Sequence, residues 1–207
     1  MFALVESGTI TQFPKGNKGI TIGENQYPSS IYTLWTEAER NAIGIYTVEI
    51  DSTNRKDEEF YINTNITYAF GSGKVTGSYG TATAKKIADE DAVDDSGNKI
   101  KDADGNQVIN YGLKTKYKNQ FNAQAAGLLA KTDWYVIKAA DVTSYSVPSN
   151  ITTYRAAVRT KVNSLETSID GCSDVDALIT LLTYTNTGTE ENPVITRPLG
   201  EFPDEVV

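Results

Sequence analysis

Apolar residues return every three or four positions in two long stretches of the chain, the signature of helices with one buried face. In the first, Leu113, Tyr117, Phe121, Ala125 and Leu128 share a face; in the second, Tyr154, Val158, Val162, Leu165 and Ile169 do. Between them Trp134, Val136 and Ile137 read as an apolar knot, and Val147-Pro148-Ser149-Asn150 breaks the chain. Pro148 keeps Val147 out of the α region, and Ser149 or Asn150 is placed to cap the next helix. The pattern predicts two antiparallel helices packed through their stripes, with Trp134, Tyr154 and Val158 as core anchors. The second stripe lasts only about two heptads, so a hairpin within the chain is preferred to a coiled coil. Asp170-Gly171-Cys172 stops it. Ser173 as cap, with Asp176 opposite, then starts a third helix carrying Val175, Leu178, Ile179, Leu181 and Leu182.

Upstream the period drops to two, and the chain reads as strands. These are Phe2 to Val5, Ile10 to Phe13, Ile20 to Ile22, Ile43 to Ile50, Phe60 to Phe70 and Val75 to Ala84. Ser30 to Arg40 reads as one helix with Ile31, Leu34, Trp35 and Ala38 on a face, and Trp35 as a further core anchor. The capping-box spacing of Thr36 and Glu39 offers a later start. The fold class is therefore α+β. Residues 1–84 form a small domain of antiparallel strands in a meander with one helix over it, and residues 113–185 a helical domain. Residues 85–112 are acidic and rich in turn residues, with Asp95-Ser96-Gly97-Asn98-Lys99-Ile100 loosely echoed by Asp104-Gly105-Asn106-Gln107-Val108-Ile109. They are a linker or a β-hairpin arm. Residues 186–207 carry Pro193, Pro198 and Pro203 and too little apolar content for a core, and are expected as an extended tail. Its candidates for docking on another subunit are Val194, Ile195, Arg197, Leu199, Phe202 and Val206, with Val207 beside them.

Composition removes several kinds of chemistry. The chain has 207 residues, one cysteine, no histidine and a formal net charge of −8. Without histidine there is no Ser-His-Asp or Cys-His catalysis and no His-ligated zinc. A lone Cys172 forms no disulfide within the chain. The negative charge disfavours a nucleic-acid backbone as partner. No apolar run approaches the roughly 20 residues of a membrane span, and Met1 to Glu6 does not read as a leader. Asp102, Asp104 and Asn106 alternate as in a calcium loop, but Gln107 stands where the turn wants Gly and Leu113 where it wants Glu. Gly71-Ser72-Gly73-Lys74 lacks the spacing of a phosphate loop. No cofactor or metal is expected. Glu37, Glu39, Asp133 and Asp141 read as caps and solvated ends, without the spacing of a glycosidase pair. Trp35 and the tyrosines suit a core better than a sugar-binding platform.

Asp133-Trp134-Tyr135-Val136-Ile137-Lys138, then Val147-Pro148, then Thr153-Tyr154-Arg155-Ala156-Ala157-Val158-Arg159 resembles the C-terminal helical part of small tail-associated proteins of tailed bacteriophages. Those are loosely grouped with tail-fibre assembly and adaptor proteins. Ala3-Leu4-Val5 and Asn41-Ala42-Ile43-Gly44-Ile45-Tyr46-Thr47-Val48 extend the resemblance to the N-terminal part. These are packing motifs and carry over no catalytic residue. The resemblance implies a non-enzymatic virion protein, made in the host cytoplasm, that works as an adaptor or connector in the tail or its fibres. Its partners would be other tail or fibre proteins or a second copy of itself, with neither nucleic acid nor membrane. The alternatives are a tail-fibre assembly chaperone that is not retained and a carbohydrate-binding accessory of the tail.

Overall fold

Strands fill the first part of the chain and long helices the second, an α+β fold, in a computed structural model that describes residues 1–206. Val207 lies outside the described residues. Two compact units divide the chain, Met1–Ala84 and Lys85–Val207.

In the first unit a hairpin of β1 (Phe2–Glu6) and β2 (Thr9–Gln12) opens the chain, and a smaller one follows in β3 (Ile20–Ile22) and β4 (Asn25–Tyr27). Next come α1 (Ile31–Leu34), α2 (Glu37–Ala42), β5 (Ile45–Asp51), β6 (Tyr61–Ile62), β7 (Thr67–Gly71), β8 (Lys74–Ser78) and β9 (Thr83–Ala84). The main sheet has the order β2-β1-β5-β8-β7. Alternation along β1 splits its side chains between two faces. Leu4 joins Ile20, Ile31, Tyr32 and Ile45 on one face; Ala3 and Val5 join Val48 and Val75 on the other.

Three features differ from the sequence expectation. First, β5 and β8 pair in parallel, Val48 opposite Val75, so β8 lies between β5 and β7 and the sheet is not a plain meander. Val75 is fully buried and suits a central strand, whereas the alternating half-burial of β7 suits an edge. Second, residues 60–70 and 75–84 do not form two long strands. Asn63 bonds the N–H and C=O of Lys56 at 2.8 Å each, and Thr64 accepts the Gly80 N–H at 2.7 Å. Side chains here replace the ladder, and β6 pairs with β9 apart from the main sheet. Third, the helix breaks at Trp35. The capping box of Thr36 and Glu39 forms and starts α2 anew, with the Thr36 N–H donating to Glu39 at 2.7 Å. That bond holds the Glu39 carboxyl below its usual range. Leu34 consequently faces solvent, while Ile31 and Tyr32 anchor the core. Trp35 is half-buried, edge-on to Tyr27 at 5.9 Å.

The second unit begins with a β-hairpin arm, β10 (Glu90–Asp91) against β11 (Ile109–Asn110). Beyond these strands Ala92, Ile100 and Val108, eight residues apart, close a ring of three backbone hydrogen bonds. The loops between them repeat one design. Asp94 accepts the N–H groups of Ser96 and Asn98, and Asp102 those of Asp104 and Asn106. The echo seen in the sequence is therefore real but in a different register, with Asp94 equivalent to Asp102.

Then come α3 (Leu113–Ala130), α4 (Asp133–Asp141), α5 (Ser149–Asp170), α6 (Val175–Leu182) and a last hairpin of β12 (Thr185–Asn186) and β13 (Ile195–Thr196). The expected stripes are the buried ones. Leu113, Tyr117, Phe121 and Ala125 of α3 pack with Ile151, Tyr154, Val158, Val162, Leu165 and Ile169 of α5; Leu128 is half-buried. No side chain caps α3. Instead the segment ahead of β10 crosses its start, and the N–H groups of Leu113 and Lys114 donate to Lys86 and Ile87 carbonyls. Asp89 adds the Gly112 N–H and the Thr115 hydroxyl. The cap of α6 is Asp174, which accepts the Ala177 N–H at 2.8 Å; Ser173, expected in that role, donates to Asp174.

Candidate interaction surfaces

The turn between α3 and α4 is built around a buried cation. Arg155 lies on the inward side of α5, one turn after Ile151, and is 8% exposed. Its guanidinium donates to the Leu129 carbonyl at 2.8 Å and to the fully buried Thr132 hydroxyl at 2.6 Å. A further contact, at 2.8 Å, pairs it with the half-exposed carboxylate of Asp133. A planar, multiply donating group suits this convergence of acceptors, which a lysine would not satisfy. Sequence reading overlooked Arg155 and Thr132, although an arginine on the stripe of an otherwise apolar face was a visible signal.

This clamp holds the first residue of α4, and the rest of that helix has no buried side chain. Trp134 is 51% exposed, Val136 42% and Ile137 67%. The expected knot is thus an outward face, and Trp134 is not a core anchor; the buried position beside it belongs to Thr132. Lys138 lies over the rings of Trp134 and Tyr145, at 5.3 and 4.4 Å. Of the other anchors, Tyr154 and Val158 are buried and Trp35 only half so.

The tail, expected to lie extended for another subunit, folds back on its own helices. β12 and β13 form a hairpin, and Asn186 accepts the Gly188 and Val194 N–H groups. Leu199 is 4% exposed, donates its N–H to the Leu181 carbonyl and accepts from Lys161 at 2.8 Å. Arg197 sits over the rings of Phe121 and Tyr184 and pairs with Glu201. Leu199 and Arg197 are therefore used within the chain and Phe202 is half-buried, whereas Val194, Ile195 and Val206 remain exposed. One buried leucine and one stacked arginine hold a segment whose composition predicts no core of its own.

Past Leu199 the chain crosses the start of α5. An open, mostly apolar groove of about 440 Å³ lies there, lined by Ser149, Asn150, Thr153, Tyr154 and Ala157 on one side and Pro203, Asp204 and Val206 on the other. Elsewhere the acids serve local roles. Glu37 lies in the first turn of α2, Glu39 caps it, Asp133 pairs with Arg155 and Asp141 ends α4. Burial pushes the Cys172 thiol up, away from the thiolate. Among the described residues no group of three or more acids or cysteines is placed to hold a metal ion, and no helix is long and apolar enough to cross a membrane. Asp102 turns its oxygens to the N–H groups of its own loop. No protein-family model matches the chain, and neither the curated proteins nor the solved structures include a significant match to it.

Proposed function

We propose that the chain is a non-enzymatic structural protein of a tailed-bacteriophage particle, a tail- or tail-fibre-associated adaptor or connector that works by protein–protein contact. The observation that carries this reading is the outward apolar face of α4, with Trp134, Val136 and Ile137 in water. Such a face gains most of its stabilisation when a partner covers it, and an exposed tryptophan is a common anchor of such contacts. The family resemblance falls on this helix and on the turn of α5 that carries Arg155. The partners are other tail or fibre proteins or a second copy, and the place of work is the virion. A net charge of −8 favours protein partners over a phosphate backbone.

Mass spectrometry of purified particles tests the reading. The chain should be found in them at a fixed ratio to the tail proteins, and Ile137→Asp should lower its incorporation while the isolated protein stays folded. Presence in infected cells but absence from particles would instead assign an assembly chaperone.

A further inference from the structure

Two adjoining hollows lie in the first unit, where the loop after β2 meets the β3–β4 hairpin. The smaller, of about 270 Å³, takes in Gln12, Phe13, Lys15 and Lys18. The larger, of about 480 Å³, takes in Thr21, Gln26 and Tyr27, and Gly19 and Ile20 line both. Together they fall in the size range of small-molecule sites, about 300–1,000 Å³. Thr21 stands directly opposite Gln26 in the hairpin, which puts both side chains on one face. No side chain divides the hollows at Gly19, where a Cβ would lie 2.7 Å from the Tyr27 carbonyl oxygen. The polar side chains here are unused: Gln12, Lys15, Lys18, Thr21 and Gln26 make no side-chain hydrogen bond or ion pair with the described residues. Elsewhere in the unit such groups are taken up. Arg55 and Lys74 pair with Glu58 and Glu49, Arg40 donates to the Trp35 carbonyl, and Lys56 lies over the Tyr61 ring. Asn54, Asn63 and Thr64 bond the main chain. Lys15 and Lys18 are thus the two cations of this unit left without a partner among the described residues, and no acid lines either hollow.

Charge and lining set the ligand. Two cations with no acid beside them call for an anion. On a chain of net charge −8, two isolated lysines suit a single carboxylate better than the dense charge of a phosphate chain. The remaining polar groups are neutral amides and a hydroxyl, which donate and accept alike and so match the hydroxyls of a sugar. Each hollow also holds an aromatic ring fixed by a second one. Phe13, 42% exposed, lies 4.7 Å from Tyr68, and Tyr27 stands edge-on to Trp35 at 5.9 Å. Such a ring offers a flat apolar face to the C–H side of a pyranose, whereas an apolar peptide side chain would leave the amides and the hydroxyl unpaired. We propose that the two hollows form a binding site for a carboxylate-bearing saccharide. Lys15 and Lys18 take the carboxylate of a uronate ring that lies on Phe13, and a neutral neighbouring ring lies by Tyr27 and bonds to Thr21 and Gln26. The site belongs to the first unit and does not rest on the reading of α4.

A titration of the full chain followed by amide NMR tests the proposal, with cellobiouronate, the disaccharide of glucuronate and glucose, as probe. At about 20 mM, a concentration that reports even millimolar binding, the amides of residues 12–13, 15–21 and 26–27 should shift. Cellobiose, the neutral counterpart, should bind about three- to fivefold more weakly, the worth of an exposed charge pair. Lys15→Gln combined with Lys18→Gln should weaken cellobiouronate by the same factor and leave cellobiose unchanged. Gln26→Leu should weaken both disaccharides. All three positions are exposed, so the variants keep the fold, which the undisturbed remainder of the spectrum checks. Absent shifts, or a double-lysine variant that holds cellobiouronate as tightly as the parent, would overturn the site. Equal binding of cellobiose would remove the lysines from it, and unchanged binding in Gln26→Leu would remove the larger hollow. Acetyl-Glu-Gly-amide bound as tightly as cellobiouronate would overturn the saccharide in favour of an acidic peptide.

Discussion

The same substitution at two positions near and within α3 should act in opposite directions. Gly112 precedes the helix where the segment of Lys86 to Asp89 crosses it. A Cβ on Gly112 would overlap the Ala88 carbonyl oxygen, and would come within 2.5 Å of the Ala88 carbonyl carbon and 2.6 Å of the Ile87 oxygen. These are backbone atoms, so no side-chain rotation relieves the clash; the crossing has to move. Its hydrogen bonds to α3 are Leu113 to Lys86, Lys114 to Ile87, Gly112 to Asp89 and Thr115 to Asp89. At about 0.5–1.5 kcal/mol net for each bond, weakening all of them costs about 2–4 kcal/mol. Gly127 lies inside α3 with nothing within 4 Å of a built Cβ. There alanine should stabilise by about 0.5–1 kcal/mol, because glycine loses more backbone freedom in a helix. For a unit of this size Gly112→Ala should lower the melting temperature by about 6–15 °C and Gly127→Ala raise it by about 2–4 °C. Circular dichroism at the helical wavelength, on the full chain, reads both. A Gly112→Ala protein that melts within about 2 °C of the parent would mean the crossing does not cap α3.

Two further outcomes follow from the geometry. Trp134→Ala should cost only about 1–2 kcal/mol by urea denaturation, since a half-exposed ring leaves no cavity; a loss near the 3–5 kcal/mol of a core tryptophan would contradict its exposure. Asp94 and Asp102 are held below the usual aspartate range, chiefly by the backbone N–H groups of Asn98 and Asn106 respectively. Because their folded pKa is depressed, the stability they contribute is present above the unfolded value of about 3.9 and is lost as pH falls through the lower folded value. The amide resonances of Asn98 and Asn106 should therefore titrate with midpoints below that of a model aspartate, and midpoints at or above it would remove these loop bonds from the account.

Local chemistry made part of this protein legible in its sequence. The buried faces of α3 and α5 follow from the spacing of Leu113 to Ala125 and Tyr154 to Ile169, because a helix brings residues three and four apart to one side whatever lies opposite. The box of Thr36 and Glu39 is likewise local, as both partners lie within one turn. Other features depended on what the rest of the chain supplies. Trp134, Val136 and Ile137 are as apolar as any core residues, but a side chain is buried only if another surface meets it, and among the described residues none covers these three. Parallel pairing of β5 with β8 joins segments over 25 residues apart, and no local pattern encodes which neighbour a strand takes. Nor does composition foretell that Leu199 finds the end of α6 and Arg197 the ring of Phe121, turning an expected extended tail into a packed one. For the candidate sites, the sequence determined which residues are apolar or able to donate. Only the tertiary structure decided that the α4 face looks outward and that the Tyr154 hydroxyl is buried without a partner among the described residues, because exposure and hydrogen bonding belong to pairs of distant segments.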